Sequence, residues 1–507
     1  MVKPKSFRPW NPEQTLLLPP SPVDWLPENH LVFFLIDLAA DLDLEDIYAF
    51  YRQKDPRGEK AYEPRMMVVL LLYAYCVGLP SSRKIEKACW EDAAFRVITG
   101  NQQPDHSRIS DFRRRHLSAL AGLFVQVLRL CQKAGLVSLG HVALDGTRLK
   151  ANASRHKAMS HERMLKSEKQ LEGEMRALLR KAELIDAQED GQYGKGKRGD
   201  ELPPELQRRS SRLDWIRKAK AELEAEAAAS KARQREEQAE RAEQEAAEAE
   251  ASGEEQRSKR AARRARAARK RADDTQRLAI ETALAAGLES PRIAADRDPQ
   301  ALPSRQLSTN AAGHPKPNTQ RNFTDPSSHI LKGSGGWIQG YNAQAAVDGE
   351  HQVIVAIGVS NQPSDTVHLL PMLARIQANT GQLPKALIAD AGYCSTTNLE
   401  ACEDRKINAY ISTSRQQHGH RTRPSRGPAP RDLDARGRMD RKLRSKAGQA
   451  VYALRKTIIE PVFGQIKEAR GLDRFRLRGL EMVNGEWALM ATTHNLLKLF
   501  RASVATV

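Results

Sequence analysis

Apolar positions fall into two rhythms along this chain. From Glu28 to about Gly135 they recur at three- and four-residue steps, which predicts helices over Leu31–Ala40, Leu44–Tyr51, Pro64–Val77, Ser81–Thr99, His106–Arg115 and Leu117–Ala134. Gly135 stands where a glycine ends a helix. The oily run from Met66 to Val77 is too short to cross a bilayer and reads as a buried helix. Later the rhythm changes to two. Tyr341–Asp348, a Gly349-Glu350 turn and His351–Val359 predict a β-hairpin. A helix over Asp365–Ala378, a strand running into Asp390, a helix over Thr397–Arg405 and a strand over Ile407–Ser412 predict βαβ units. Asn484–Lys498 reads as a last helix, apolar on one side.

Between these regions lie stretches of different character. Val142 and Leu144 lead into Asp145, a strand that delivers a carboxylate. A charged helix over Met164–Gln188, a break at Asp190–Asp200, an acidic helix over Glu205–Glu250 and a basic run from Lys259 to Arg271 predict a helical hairpin with charge pairing across it. Few apolar positions stand at heptad spacing there, so the pattern does not require a tight coiled coil. Residues before about 25 are proline-rich and extended, 289–336 read as a linker, and Arg415–Arg444 as a mobile basic loop. The expected organisation is therefore a helical domain over 1–135, the first core strand in 136–159, a helical insertion over 160–288, a linker over 289–336 and the rest of an α/β core over 337–507.

A helix is also predicted around Tyr452–Lys467, with Leu454, Ile458, Ile459, Val462, Phe463 and Ile466 on its oily side. Glu460 and Lys467 fall within roughly 20° of each other on an ideal helix, and Arg455 about 140° from Glu460. Pro461 is expected to kink it.

Charge narrows the partners. Lys and Arg number 81 against 63 Asp and Glu, a formal net charge of +18, which favours a polyanion and nucleic acid first. Five scattered cysteines, an odd number, form no CxxC pair, so neither a disulfide framework nor a zinc site is indicated, which fits a reducing cytosol. The first ten residues lack the apolar run of a secretory leader, and no membrane association is expected. His418 and His420 lack partners at metal spacing. The helices after Pro80 and Pro104 have basic leading ends, carrying Arg83, Lys84, Arg108, Arg113, Arg114 and Arg115. Either a helix-turn-helix-like DNA reader or a packing domain with a solvated basic face fits them.

Three carboxylates stand out. Asp145 and Asp390 sit at or near strand ends, where functional groups of open α/β sheets collect, and Glu460 lies on a later helix. Acids brought together repel unless a cation neutralises them, and hard oxygen ligands select Mg²⁺ or Mn²⁺. Two such ions clamp a phosphodiester for in-line displacement. Asp348 and Asp325 are the alternatives for the first ligand.

Four stretches resemble the DDE transposases of bacterial insertion sequences: Val142–Thr147, Gly340–Asp348, Ile388–Tyr393 and Glu460–Lys467. Ser81–Glu86, Gly100–Gln102 and Pro104–Ser107 resemble the N-terminal domain such enzymes carry. The resemblance implies a ribonuclease-H-like mixed sheet core with an all-α N-terminal domain, two Mg²⁺ ions (or Mn²⁺) per site, and Asp145, Asp390 and Glu460 as metal ligands. It implies DNA partners, namely terminal inverted repeats and target DNA, bound by a homodimer or larger complex in the bacterial cytoplasm at the nucleoid. Tyr452, Arg455 and Lys467 match the Tyr, Arg and Lys around the family's glutamate, except that four residues separate Arg455 from Glu460 where three are commonest. A metal-dependent nuclease that cuts without joining, a catalytically dead DNA-binding regulator and a helical scaffold are the rival readings. The scaffold leaves the Asp145 and Asp390 strands without a role.

Overall fold

A computed structural model describes residues 22–53, 60–193, 204–252, 254–289, 298–333, 335–414, 430 and 432–505. The proline-rich start, most of the expected break at 190–200 and the basic loop with His418 and His420 lie outside the described residues. The chain divides into two compact units. One comprises Met1–Ala134, Ala469–Leu472 and Ala488–Val507; the other comprises Gly135–Glu468 and Asp473–Trp487.

The first unit is helical: α1 (Leu31–Asp41), α2 (Glu45–Arg52), α3 (Pro64–Cys76), α4 (Ser82–Glu91), α5 (Ala93–Thr99), α6 (His106–Arg115) and α7 (Leu117–Lys133). Its core is α3, buried without a break from Met67 to Cys76. Pro64 starts that helix, where a missing N–H costs nothing, and the Glu63 carboxylate accepts from Met66 N. The single helix expected over Ser81–Thr99 is two. Asp92 is extended, and its side chain accepts from the N–H groups of Ala94 and Phe95, so it ends α4 and caps α5. Gly135 takes the left-handed conformation after α7. No helix among the described residues is long and apolar enough to cross a membrane.

The second unit is built on a mixed sheet. Its strands are β1 (His141–Lys150), β4 (His329–Gly333), β5 (Gly336–Asp348), β6 (Ile354–Ser360), β7 (Ala386–Ala389) and β8 (Asn408–Ile411); β2 (Ala158–Ser160) and β3 (Gln320–Asn322) pair separately. β1 is central, antiparallel to β5 and parallel to β7, and β8 follows in parallel. β5 carries both β4 and β6 on its other edge. Three antiparallel strands followed by two parallel ones make the ribonuclease-H-like core. The stretch expected to be a linker thus contributes β3 and β4, too short and polar to announce themselves. The hairpin turn is longer than two residues: β6 begins only at Ile354, with Gln352 at φ 57° in the connection.

Three long helices interrupt this sheet after β2: α8 (His161–Tyr193), α9 (Pro204–Ala251) and α10 (Glu255–Ala285). At the base Met164, Leu171, Leu213, Ile216, Leu223 and Leu307 form one apolar cluster. Arg321 ties it down by pairing with Glu222 and Glu226, each at 2.7 Å. Further out the seam is alanine. Ala225, Ala232 and Ala239 on α9, and Ala265, Ala272 and Ala279 on α10, are buried at seven-residue steps. The expected charge pairing is present: Arg269 of α10 bonds Glu236 at 2.5 Å and Glu243 at 2.7 Å.

The remaining helices are α11 (Leu369–Thr380), α12 (Thr396–Asp404), α13 (Ala435–Arg444), α14 (Lys446–Gly464) and α15 (Leu480–Ala505). α13 occupies part of what reads as loop. α14 runs through Pro461 without ending, and a π turn follows over Gln465–Ala469.

Candidate active site

Strand register brings the first two carboxylates together. Leu144 is the Cα partner of Ala389, the last such pair between β1 and β7. The next residues are Asp145 and Asp390, side by side at one end of adjacent parallel strands. β1 continues to Lys150 along β5, so Asp145 stands where the parallel pairing stops and not where its own strand ends.

Asp145 accepts the Gly146 N–H at 2.8 Å and Arg455 Nη1 at 2.6 Å. Burial pushes its carboxyl up to about 6; Asp390 and Asp365 add to the push, against Arg455 and the Gly146 N–H. Burial also raises the Asp390 carboxyl, which accepts the Gly392 N–H at 2.8 Å.

Asp365, read in the sequence only as the start of a helix, is a third carboxylate at this end of the sheet. It accepts from Asn342 Nδ2 at 2.7 Å and Gln344 Nε2 at 2.8 Å, and pairs with Arg148 at 3.3 Å. Gln344 also accepts from the hydroxyl of the buried Tyr393. Two glycines make room for this group. A methyl on Gly146 would lie 2.9 Å from Asp365 Oδ1, and one on Gly392 would lie 2.9 Å from Asp390 Oδ1 and 3.3 Å from Asp365 Oδ2.

α14 supplies the rest. Arg455 spans Asp145 and Glu460, its Nη2 standing 3.6 Å from Glu460 Oε1. The helical projection separated these two residues; the reach of the guanidinium overrides it. Burial opposes the Arg455 charge, but Asp145, Tyr452, Asp390 and Glu460 outweigh it and raise its affinity for the proton. Glu460 itself is 54% exposed. Lys467, within the π turn, donates to Thr147 Oγ1 at 3.3 Å. Tyr452 is buried enough to raise its phenol, with Ser412 and Arg455 opposing. Among the described residues, no three carboxylate, histidine or cysteine side chains stand as a metal-binding group. The two alternative aspartates have local tasks. Asp325 accepts the Tyr341 hydroxyl at 2.8 Å, and Asp348 accepts the Leu139 N–H at 2.8 Å.

In the helical unit Arg83, Lys84, Arg108, Arg114 and Arg115 are exposed. α4 and α6 are joined by His106 Nδ1 and Glu86 at 2.9 Å. Arg113 departs from expectation. It is only 4% exposed and donates to the Pro80 carbonyl at 2.6 Å and the Tyr75 hydroxyl at 3.2 Å. It lies on the inner face of α6 beside Ile109 and Phe112, so it is a tie within the core and not a DNA contact.

Residues 308–496 match the family model described as a transposase DDE domain, and residues 21–115 match the transposase domain (DUF772). The chain belongs to the DDE transposases of insertion sequences. The transposase acts on DNA and moves an insertion sequence, and enzymes of this family generally use divalent metal ions. Asp390 and Glu460 fall inside the matched DDE stretch; Asp145 precedes it, separated by the insertion. No curated protein and no solved structure matches the chain.

Proposed function

We propose that Asp145, Asp390 and Glu460 hold two Mg²⁺ (or Mn²⁺) ions and that this site both cuts DNA at the terminal inverted repeats and joins the freed ends to target DNA. One observation carries the reading: two oxygen-donor carboxylates with raised proton affinity adjoin on β1 and β7, and Arg455 links one of them, Asp145, to Glu460. That donor set suits a hard divalent cation, and Arg455 supplies the compensating positive charge beside it. Bound ions would activate the attacking water or 3′-hydroxyl and stabilise the leaving oxygen. The protein's own groups orient the site. The Gly146 and Gly392 amides aim the two aspartates, and Asp365, braced by Asn342, Gln344 and Arg148, sustains the negative field around them. Glu460, the most exposed of the three ligands, swings in from α14. Tyr452, Arg455 and Lys467 contact the DNA strand at this site, and Arg83, Lys84, Arg108, Arg114 and Arg115 hold the ends from the helical unit. The working form is a homodimer or larger complex on DNA, in the cytoplasm at the nucleoid.

A strand-transfer assay with Mg²⁺ and duplexes carrying the element's ends tests the proposal. Asp145→Asn, Asp390→Asn and Glu460→Gln should each lower cutting and joining at least roughly a thousandfold, about 4 kcal/mol of barrier, while end binding persists. Parent enzyme that cuts without joining sinks the transposition step. Parent enzyme that binds without cutting sinks the catalytic assignment.

A further inference from the structure

α10 carries ten Lys or Arg residues against four Asp or Glu. Part of this charge is consumed within the protein: Arg269 pairs with Glu236 and Glu243, Arg277 with Asp274, Lys259 with Glu255. Arg260, Arg263, Arg264, Lys270 and Arg271 are different. All five are exposed, and no ion pair among the described residues reaches them. At about 100° per residue they share a face roughly 120° wide. Its centre lies about 140° from the seam of Ala265, Ala272 and Ala279, so this face looks away from α9. From Arg260 to Arg271 it rises about 16 Å, a length over which a DNA duplex carries roughly nine or ten phosphates. The charge is also held rigidly, because Arg269 and the alanine seam fix the helix that displays it.

From this we infer that the outer face of α10 is a docking surface for the phosphate backbone of duplex DNA, engaged without regard to base sequence. Four of its five cations are arginines, the side chain whose planar fork suits phosphate oxygens. Their unpaired state is what a polyanion would complete. The inference rests on the chain's action on DNA and adds the insertion as a place where DNA lies.

The test uses the full chain with Arg260→Gln, Arg263→Gln, Arg264→Gln, Lys270→Gln and Arg271→Gln combined. Binding is measured against salt on a duplex carrying the element's end and on an unrelated duplex. The slope of log K against log salt should become shallower by about 4 to 5 on both, with at least roughly a tenfold loss of affinity near 0.15 M salt. Replacing the four arginines by lysine should keep the parent slope. If the fivefold variant loses helicity by circular dichroism, the pair Arg260→Gln and Arg264→Gln serves, with a slope change of about 2. An unchanged slope in a folded variant overturns the inference, as does a loss confined to the element-end duplex or an equal loss in the lysine variant. Asp390→Asn separates the two proposals. It should bind with the parent slope and fail to cut; if it cuts normally, the catalytic assignment fails while the result for α10 stands.

Discussion

The end of β1 and β7 and the seam of α9 and α10 solve opposite problems with the same kinds of residue. At the sheet end, Asp145, Asp390 and Asp365 stand half-buried and close together, and their charges repel. Along the hairpin, acids meet bases: Arg269 bonds Glu236 and Glu243, and the buried contacts are methyl groups repeated every seven residues. One region is held in an uncomfortable arrangement by a few residues whose loss would relax it. The other is a regular rod in which no single contact decides much. The contrast separates the cluster of acids that we propose carries the chemistry from a regular scaffold.

Substitutions should break that contrast in a definite order. Gly146→Ala should have the largest effect, because the added methyl meets Asn342 Oδ1 at 2.8 Å and Asp365 Oδ1 at 2.9 Å. We expect cutting to fall by about a hundredfold, roughly 2.7 kcal/mol, in a cleavage time course under saturating Mg²⁺. Ala272→Leu should force the seam apart and destabilise the hairpin by about 1–3 kcal/mol, read as faster proteolysis within the insertion; unchanged proteolysis would mean the seam is loosely packed.

Asp145→Asn should do the reverse. The Asp145 carboxyl binds its proton more tightly when folded, about 6 against 3.8, so its ionisation above that range costs stability that is intact below 3.8. The metal-free variant should therefore melt a few degrees higher than the parent at pH 8, the gain bounded at about 3 kcal/mol and reduced by the stranded Arg455; at pH 4 the gain should vanish. A variant that melts lower at pH 8 would show that the pair with Arg455 outweighs burial. Asp365→Asn should have the smallest effect. Removing one negative neighbour lowers the proton affinity of Asp145, so the acid limb of the cutting rate should move down by about half a pH unit. An unmoved limb would confine Asp365 to bracing Arg148.

Much of this was legible from residue order. Buried runs ending in Asp145 and Asp390 announced two strands, because apolar residues at such density have few other uses. The pairing that makes the two acids neighbours follows once both strands are parallel in one sheet. Asp365 was not legible: it follows Gln362-Pro363-Ser364, looks like a helix cap, and gains its meaning from Asn342, Gln344 and Arg148 on distant strands. The link from Arg455 to Glu460 was hidden because a wheel diagram ranks Cα directions and ignores side-chain length. The alanine seam escaped notice because heptads are sought among larger residues. Arg113 resembled its exposed neighbours in charge, and only the inward face of α6 set it apart.

The central position of β1 also sets the timing of assembly. Both of its partners are synthesised after the insertion, and β7 follows roughly 240 residues later, at about 5–20 residues per second. Until β5 emerges, roughly 190 residues after β1, the strand bearing Asp145 has no sheet to join. The three-helix insertion, whose contacts are mostly local, is free to form first. A ribosome that stops before Ala386 would release a protein able to build its rod but not its scissors, which ties competence for cutting to synthesis of the chain through Glu460.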